Sequence, residues 1–280
     1  MSELLNKVVL CKVSISVFNP KRQDTKVTHE VLEERNATSA AGKWVKNLID
    51  PKALDGVVRV SQRARIESYN LSLPWSDEGY RILPITVFMD YQKTMRECRQ
   101  KFEKEVEDFL SQWDRHVLEA KQSLNGMFNP LDYPTKEQVT EKFAFSVDIL
   151  PLPTGQDFRV TLPEEEMEKM KADVEMTVKN AEQAAMKDLW RRLSTPIRHM
   201  VDRLSQDDSI FRDSLIDNVK DIIRIVPSLN ISNDPMLVQL NAECRKLIQH
   251  DPETLRLNRD LRRDVASQAR EILKKMESYL

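Results

Sequence analysis

Apolar residues at alternate positions open the chain. Val9, Cys11, Val13, Ile15 and Val17 are separated by polar or intermediate neighbours, the period of two that lays one face of a strand on a core. Asn19-Pro20 closes that strand. Val27, Val31 and Leu32 then predict a short helix over about 26–35, and Trp44, Val45 and Leu48 a further helical piece around 43–48. Asp50 before Pro51 reads as an N-cap with proline at the first helical position, so a helix should run from 51 to about 69. Residues 71–84 carry two proline-bearing extended pieces about a Ser-Asp-Glu-Gly turn. They predict a structured loop or short hairpin with Trp75 as its anchor.

A long amphipathic helix follows. Phe88, Tyr91, Met95, Cys98, Phe102, Val106, Phe109, Trp113, Val117 and Leu124 advance mostly by threes and fours, which gives one buried and one solvated face. Gly126 should end it, and the Asn129-Pro130 to Pro134 stretch forms a rigid turn. Thr135 with Gln138 suggests a capping box on a short helix reaching about 143. Residues 144–152 read as a strand with Phe145, Val147 and Ile149 on one face, and Phe158, Val160 and Leu162 as its antiparallel partner.

From Pro163 the period becomes helical throughout. Glu164, Glu165 and Glu166 stand at the positive end of a helix dipole. The stripe Met167, Met170, Val174, Val178, Ala181, Ala185, Leu189, Leu193, Ile197, Met200 and Leu204 extends that helix to about 204, with a kink at Pro196 near Thr195. Helices over about 208–226, 234–250 and 252–280 follow, separated by Pro227, Asn233-Asp234-Pro235 and Asp251-Pro252. The expected fold class is therefore α+β and predominantly helical. A small antiparallel strand element is joined to long amphipathic, coiled-coil-like helices, with an α+β region over 1–162 and an all-helical region over 163–280. The two long stripes need partners, and the sequence leaves open whether they pair within one chain or between chains.

Composition narrows the chemistry. Five glycines in 280 residues cannot write a phosphate-cradling loop or a dinucleotide fingerprint. Lys and Arg number 43 against 45 Asp and Glu, nearly even in both halves, so no global field steers the protein to nucleic acid or anionic lipid. Cys11, Cys98 and Cys244 lie in apolar-periodic segments without CxxC or histidine neighbours, as reduced core residues would. No apolar run reaches roughly 18 residues and the N-terminus has no secretory pattern, so no membrane association and a cytoplasmic location are expected. His29, His116, His199 and His250 sit on charged segments and read as solvated helix surface. The acidic runs Glu164–Glu166 and Asp207-Asp208 are explained by helix starts, and Met167, Met170, Met176 and Met186 by an adaptable core or interface. No catalytic residue, metal ligand or cofactor is expected, and the chain is not expected to be an enzyme.

Two features remain. Arg191, Arg192, Arg198 and Arg203 gather on the second half of the long helix. Arg256, Arg259, Arg262, Arg263 and Arg270, with Lys274 and Lys275, give the last helix a basic side. That side could contact phosphates, but Glu253, Asp260, Asp264 and Glu271 interleave with it and favour surface pairing. The second feature is the loop bearing Trp75, Tyr80 and Arg81, which is either a packing anchor or a recognition hot spot.

Leu73-Pro74-Trp75, Gly79-x-Arg81-x-Leu83-Pro84, Phe128-Asn129-Pro130-x-Asp132-Tyr133-Pro134 and Pro151-x-Pro153 before Phe158 resemble, in order and spacing, an uncharacterised family of bacteriophage and prophage proteins. Its members are often encoded beside a MoxR-type AAA+ ATPase and a von Willebrand A-type protein. The likeness covers about 8–204 through structural rather than catalytic motifs. It implies phage origin, expression in the host cytoplasm and partnership with an AAA+ ATPase. The expectation is a non-enzymatic interaction, assembly or adaptor protein that forms a homo-oligomer and docks a protein partner through its long helices and the Trp75 loop. The alternative is a nucleic-acid-binding protein of phage replication or packaging that uses the last helix.

Overall fold

A computed structural model describes residues 2–75, 79–155, 163–206 and 210–280. The elements in order are α1 (Ser2–Leu5), β1 (Val8–Ser16), β2 (Lys21–Gln23), α2 (Thr25–Glu34), β3 (Val45–Asn47), α3 (Asp55–Asn70), β4 (Leu73–Pro74), β5 (Arg81–Pro84), α4 (Phe88–Ser111), α5 (Trp113–Leu124), α6 (Lys136–Thr140), β6 (Ala144–Leu150), α7 (Glu164–Leu204), α8 (Ser214–Leu229), α9 (Pro235–Leu247), α10 (Pro252–Leu257) and α11 (Arg259–Met276). The protein is thus a predominantly helical α+β fold with a small antiparallel sheet, ordered β4-β5-β1-β6. The proposed strand over 158–162 and the acidic pair Asp207-Asp208 lie outside the described residues, as do Ser76 to Glu78 of the expected turn.

Two compact units form. The first comprises Met1–Lys12, Ser68–Gln92 and Asp148–Leu280, the second Val13–Glu67 and Lys93–Val147. A boundary at 163 separates the all-helical part of the chain, but the compact units do not follow it. The reason is local to the first unit: β4 packs on α7, which draws the hairpin into the helical body.

In the first unit β1 pairs antiparallel with β5, Cys11 opposite Arg81, and β4 with β5, Pro74 opposite Arg81. The expected hairpin is present, and Gly79 takes φ +88 at its turn, where a Cβ would be strained. α7 is the axis, with Val178, Ala181, Ala185, Leu189, Leu193, Ile197, Met200 and Leu204 all buried. α8 and α11 pack along it, and α9 packs on both of them.

Backbone carbonyls decide where these helices end. α8 runs through Pro227 to Leu229, although proline was expected to separate helices there. Proline cannot donate to the carbonyl four residues back, and the buried Asn241 amide donates to that Ile223 carbonyl instead, at 3.2 Å. In the last turn, Thr86 Oγ1 donates to Ser228 O at 2.8 Å. α7 likewise continues through Pro196. The last helix is two, because Asn258 is extended and caps α11 through Leu261 N.

The second unit holds β2 paired with β3, Arg22 opposite Lys46, so residues 45–47 are strand and not the helix expected. The hydrophobic pattern misleads here. Trp44 and Val45 are 46% and 52% exposed while Lys46 is 7% exposed. The core is aromatic, with Trp113 edge-on to Phe18 and Phe109, and Phe109 edge-on to Phe143. The single long helix expected over 88–124 breaks between α4 and α5. Ser111 Oγ and Gln112 Nε2 both donate to Asp108 O, at 2.7 and 3.2 Å. Gln112 N–H turns instead to Phe109 O at 3.1 Å, a tighter 3₁₀-type step. Asn125, φ 45, and not Gly126 takes the positive-φ position that ends α5. The capping box of Thr135 and Gln138 is formed.

Lys46 fastens this unit. Its ammonium lies 2.7 Å from Asp24, 2.8 Å from Asp132 and 2.8 Å from Met127 O. Asp24 also caps α2 by accepting from Val27 N, and Asp132 pairs with Arg22 at 3.2 Å. Burial alone would lower the Lys46 pKa, but the hydrogen bonds and charges of Asp132 and Asp24 outweigh it and raise the pKa. Asp24 is held below the usual carboxylate range, first by the Lys46 hydrogen bond and then by Val27 N–H. Lys46→Met leaves Asp24 without its cation and Asp132 with Arg22 alone, so a loss of about 3 kcal/mol is expected in the urea midpoint. Because the Asp24 pKa is lower folded than unfolded, its contribution is complete above about pH 4. It disappears as acid titrates through the depressed folded value, a slope that urea melts of Asp24→Asn should lack.

Candidate functional site

The expected hairpin residues do not act together. Trp75 is half-buried, and Tyr80 lies under Lys12, whose Nζ is 5.0 Å from the ring. Arg81 turns the other way and enters a charged assembly. Tyr69, from the last turn of α3, has Arg81 Cζ 4.4 Å and Arg192 Cζ 4.0 Å from its ring centroid, so its π-surface is occupied by two guanidinium groups. Arg192 also donates to Tyr69 O at 2.9 Å. Arg81 is fixed by Ser72, its Nε 2.7 Å from Oγ and its Nη2 3.1 Å from the carbonyl. Ser72 Oγ in turn donates to Ser68 O, closing the turn from α3 into β4.

Asp188 neutralises part of this charge. It lies 2.7 Å from Arg192 Nε and 2.5 Å from Arg191 Nη2, with 6% of its side chain exposed. Arg192 is nearly as buried, at 10%, whereas Arg191 is 69% exposed. Arg192 Nη2 has no hydrogen-bond acceptor among the described residues. Burial, and next the charge of Arg192, push the Arg81 pKa below its ordinary value. Hydrogen bonding to Asp188 holds the Arg191 pKa up.

Above this assembly lies a cleft of about 580 Å³. Lys187, Arg191, Thr195 and Arg198 line it from one exposed face of α7, and Arg81 and Pro74 from the hairpin. Ala184 and Leu280 add apolar surface. Of the side chains lining it four are cationic, Arg81, Lys187, Arg191 and Arg198, and one is a carboxylate, Asp188. The sequence showed the arginine gathering on α7, but nothing in it placed Tyr69, Asp188 or Arg81 against that face. The spacing of Lys187, Asp188, Arg191 and Arg192 at three and four is the signal that finds the ion pairs.

The arginines of the last helices are engaged within the chain. Arg256 donates to Phe211 O at 3.1 and 3.0 Å and pairs with Asp213. Arg262 is 6% exposed and donates to Arg203 O and Gln206 O at 3.3 and 2.7 Å, capping the carbonyl end of α7 as a cation suits. Arg270 donates to Ser205 Oγ at 2.9 Å. Arg259 and Arg263 also have interaction partners. The basic side read from sequence is, for Arg256, Arg262 and Arg270, a set of internal fasteners.

The remaining ionisable candidates separate. Cys11, Cys98 and Cys244 are free and buried. Burial raises the pKa of each, that of Cys244 to about 12, which keeps the thiols protonated and poor nucleophiles. His116 corrects the expectation of a solvated histidine, being 8% exposed and stacked on Phe109 at 5.5 Å. His29, on the exposed surface, pairs with Glu33. Among the described residues no three His, Cys, Asp or Glu side chains form a metal-holding group, and no helix is long and apolar enough to cross a membrane.

Removing the one counter-charge tests the assembly. Asp188→Asn leaves Arg192 buried beside Arg81 without an anion, so a destabilisation of about 3 kcal/mol is expected in urea unfolding. Arg191→Gln, at the exposed end of the same cluster, should cost under about 1 kcal/mol.

No curated protein and no solved structure matches the chain. A family model does, over residues 5–205. That stretch contains Tyr69, the β4–β5 hairpin and every α7 residue of the cleft, and it stops one residue past the end of α7. With well over half of the 280 residues matched, the chain that builds this cleft belongs to the family described as a protein of unknown function, DUF3150.

Proposed function

We propose that this chain is a non-enzymatic adaptor or assembly component that self-associates along the start of α7 and docks a protein partner. One observation carries the reading: the apolar stripe of α7 outruns its own core. Met167, Met170 and Val174 continue the register of Val178, Ala181 and Ala185, yet no side chain from Glu164 to Thr177 is fully buried among the described residues. Met167, Met170 and Val174 are half-buried, and Met176, on the opposite side of the helix, is 58% exposed. About 20 Å of amphipathic helix therefore keeps part of its apolar stripe uncovered, and association would complete its burial. Beside it a groove of about 600 Å³, lined in part by Leu4, Ala172, Met176, Val178 and Ile231, extends that surface. The resemblance to phage and prophage proteins supports an AAA+ ATPase as the partner and the host cytoplasm as the place. The hairpin carrying Trp75, Tyr80 and Arg81 supplies a second contact through its wall of the cleft.

Met170→Glu with Val174→Glu charges a stripe that is not fully buried in the folded chain, so the urea midpoint should hold. The mass by light scattering should fall from an oligomer to the 32.7 kDa single chain. A wild-type protein that scatters as a strict monomer and retains none of its neighbouring gene products would overturn the reading.

A further inference from the structure

Around the cleft cationic side chains outnumber anionic ones, with Asp188 the one carboxylate side chain in its lining. Lys187, Arg191 and Arg198 are exposed along one face of α7. The helix rises about 16 Å from Lys187 to Arg198, and the first two cations are about 6 Å apart along it. Arg81 flanks them from β5, and the buried pair of Arg192 with Asp188 leaves a guanidinium nitrogen without an acceptor. The anion that fits is therefore linear and carries several charges.

Two observations separate a peptide from a nucleic acid. The tyrosine of the cleft already has two guanidinium groups within 4.4 Å of its ring centroid, and these compete with any base for its π-surface. Pro74, Ala184 and Leu280 interrupt the cations with apolar surface, which suits side chains alternating with carboxylates rather than a continuous phosphate chain. In an extended peptide, alternate residues stand about 6.6 Å apart, close to the rise from Lys187 to Arg191.

We infer that the cleft formed by α7 and the β4–β5 hairpin binds an acidic peptide segment of a partner protein, its carboxylates on Lys187, Arg191, Arg198 and Arg81 and its apolar residues on Pro74 and Ala184. The inference rests on the adaptor reading and names the chemistry of the segment docked. It is independent of the α7 stripe through which the chain self-associates.

The test is fluorescence anisotropy of the full chain with a labelled peptide of alternating Glu and Leu, its Gln counterpart, and a single-stranded oligodeoxynucleotide of equal charge. The Glu peptide should bind, weaken with added salt and lose roughly tenfold in affinity in Lys187→Glu with Arg198→Glu. That variant leaves the Asp188 pairs intact, so its urea midpoint should match wild type. Arg96→Glu with Lys104→Glu, exposed positions of the second unit, should bind as wild type does. Equal or tighter binding of the oligonucleotide, binding of the Gln peptide, or a Glu peptide indifferent to the cleft reversal would each overturn the inference. An oligomer that fails to bind the peptide removes the inference and keeps the adaptor reading. A monomer that binds it keeps the inference and the partner docking, and removes only the self-association along α7.

Discussion

The seam of α7 is the constraint on which the first unit depends. Its buried positions recur at three and four from Val178 to Leu204, and α8, α9, α10 and α11 are placed by reaching this seam directly or through a neighbour that does. Burying a Val, Leu, Ile or Met side chain contributes about 2 kcal/mol, so the six such positions on one rod, with two alanines between them, outweigh any single polar contact nearby. That surplus lets the helix keep Asp188 and Arg192 almost wholly out of water, at 6% and 10% exposure. A buried pair of this kind is weak as a source of stability. Its consequence is geometric: with Arg192 fixed over Tyr69, the next residues outward, Lys187, Arg191 and Arg198, share one solvent-facing side.

Carbonyl accounting sets the lengths of the rods. A helix continues past a proline only if something else serves the carbonyl that proline abandons, and Asn241 does so at Ile223. The reverse happens at Asp108, where two side chains take the carbonyl and the main-chain donor moves one residue down. At the end of α7, Arg262 supplies the donor that the chain itself lacks. In each case a polar side chain at a buried or helix-end position, not a change in apolar periodicity, decides whether the rod runs on.

That is also why the sequence was legible in some places and not others. Period and turn chemistry identified β1, the hairpin, the Thr135 capping box and the full extent of α7, because each is written in residues adjacent along the chain. Residues 43–48 were misread because the strand inverts the rule being used. Lys46 is buried through carboxylates at 24 and 132, while Trp44 and Val45 face solvent. The break at Gln112 was hidden because the apolar rhythm passes through it unchanged. His116 was taken as surface because its neighbours are charged, whereas Phe109 covers it. The site was half legible. The arginines of α7 stood out, but Tyr69 lies more than a hundred residues upstream and carries no local mark of its two cationic neighbours.

The two arginine groups separate by what they face. On α11 the guanidinium of Arg262 is turned inward, where the carbonyls ending α7 supply the negative end of a helix dipole. A cation there is satisfied by backbone and has little left for a ligand. In the middle of α7 the main-chain carbonyls are largely committed to the helix ladder, so the arginines must find side-chain anions, and there is one. Asp188 serves the buried Arg192 first, since an uncompensated charge costs most where water is excluded. Arg191 shares that carboxylate from solvent. The positive charge left over on Lys187, Arg191 and Arg198 thus follows from the helix interior combined with a single carboxylate, and it puts the recognition chemistry on the long helix rather than on the last one.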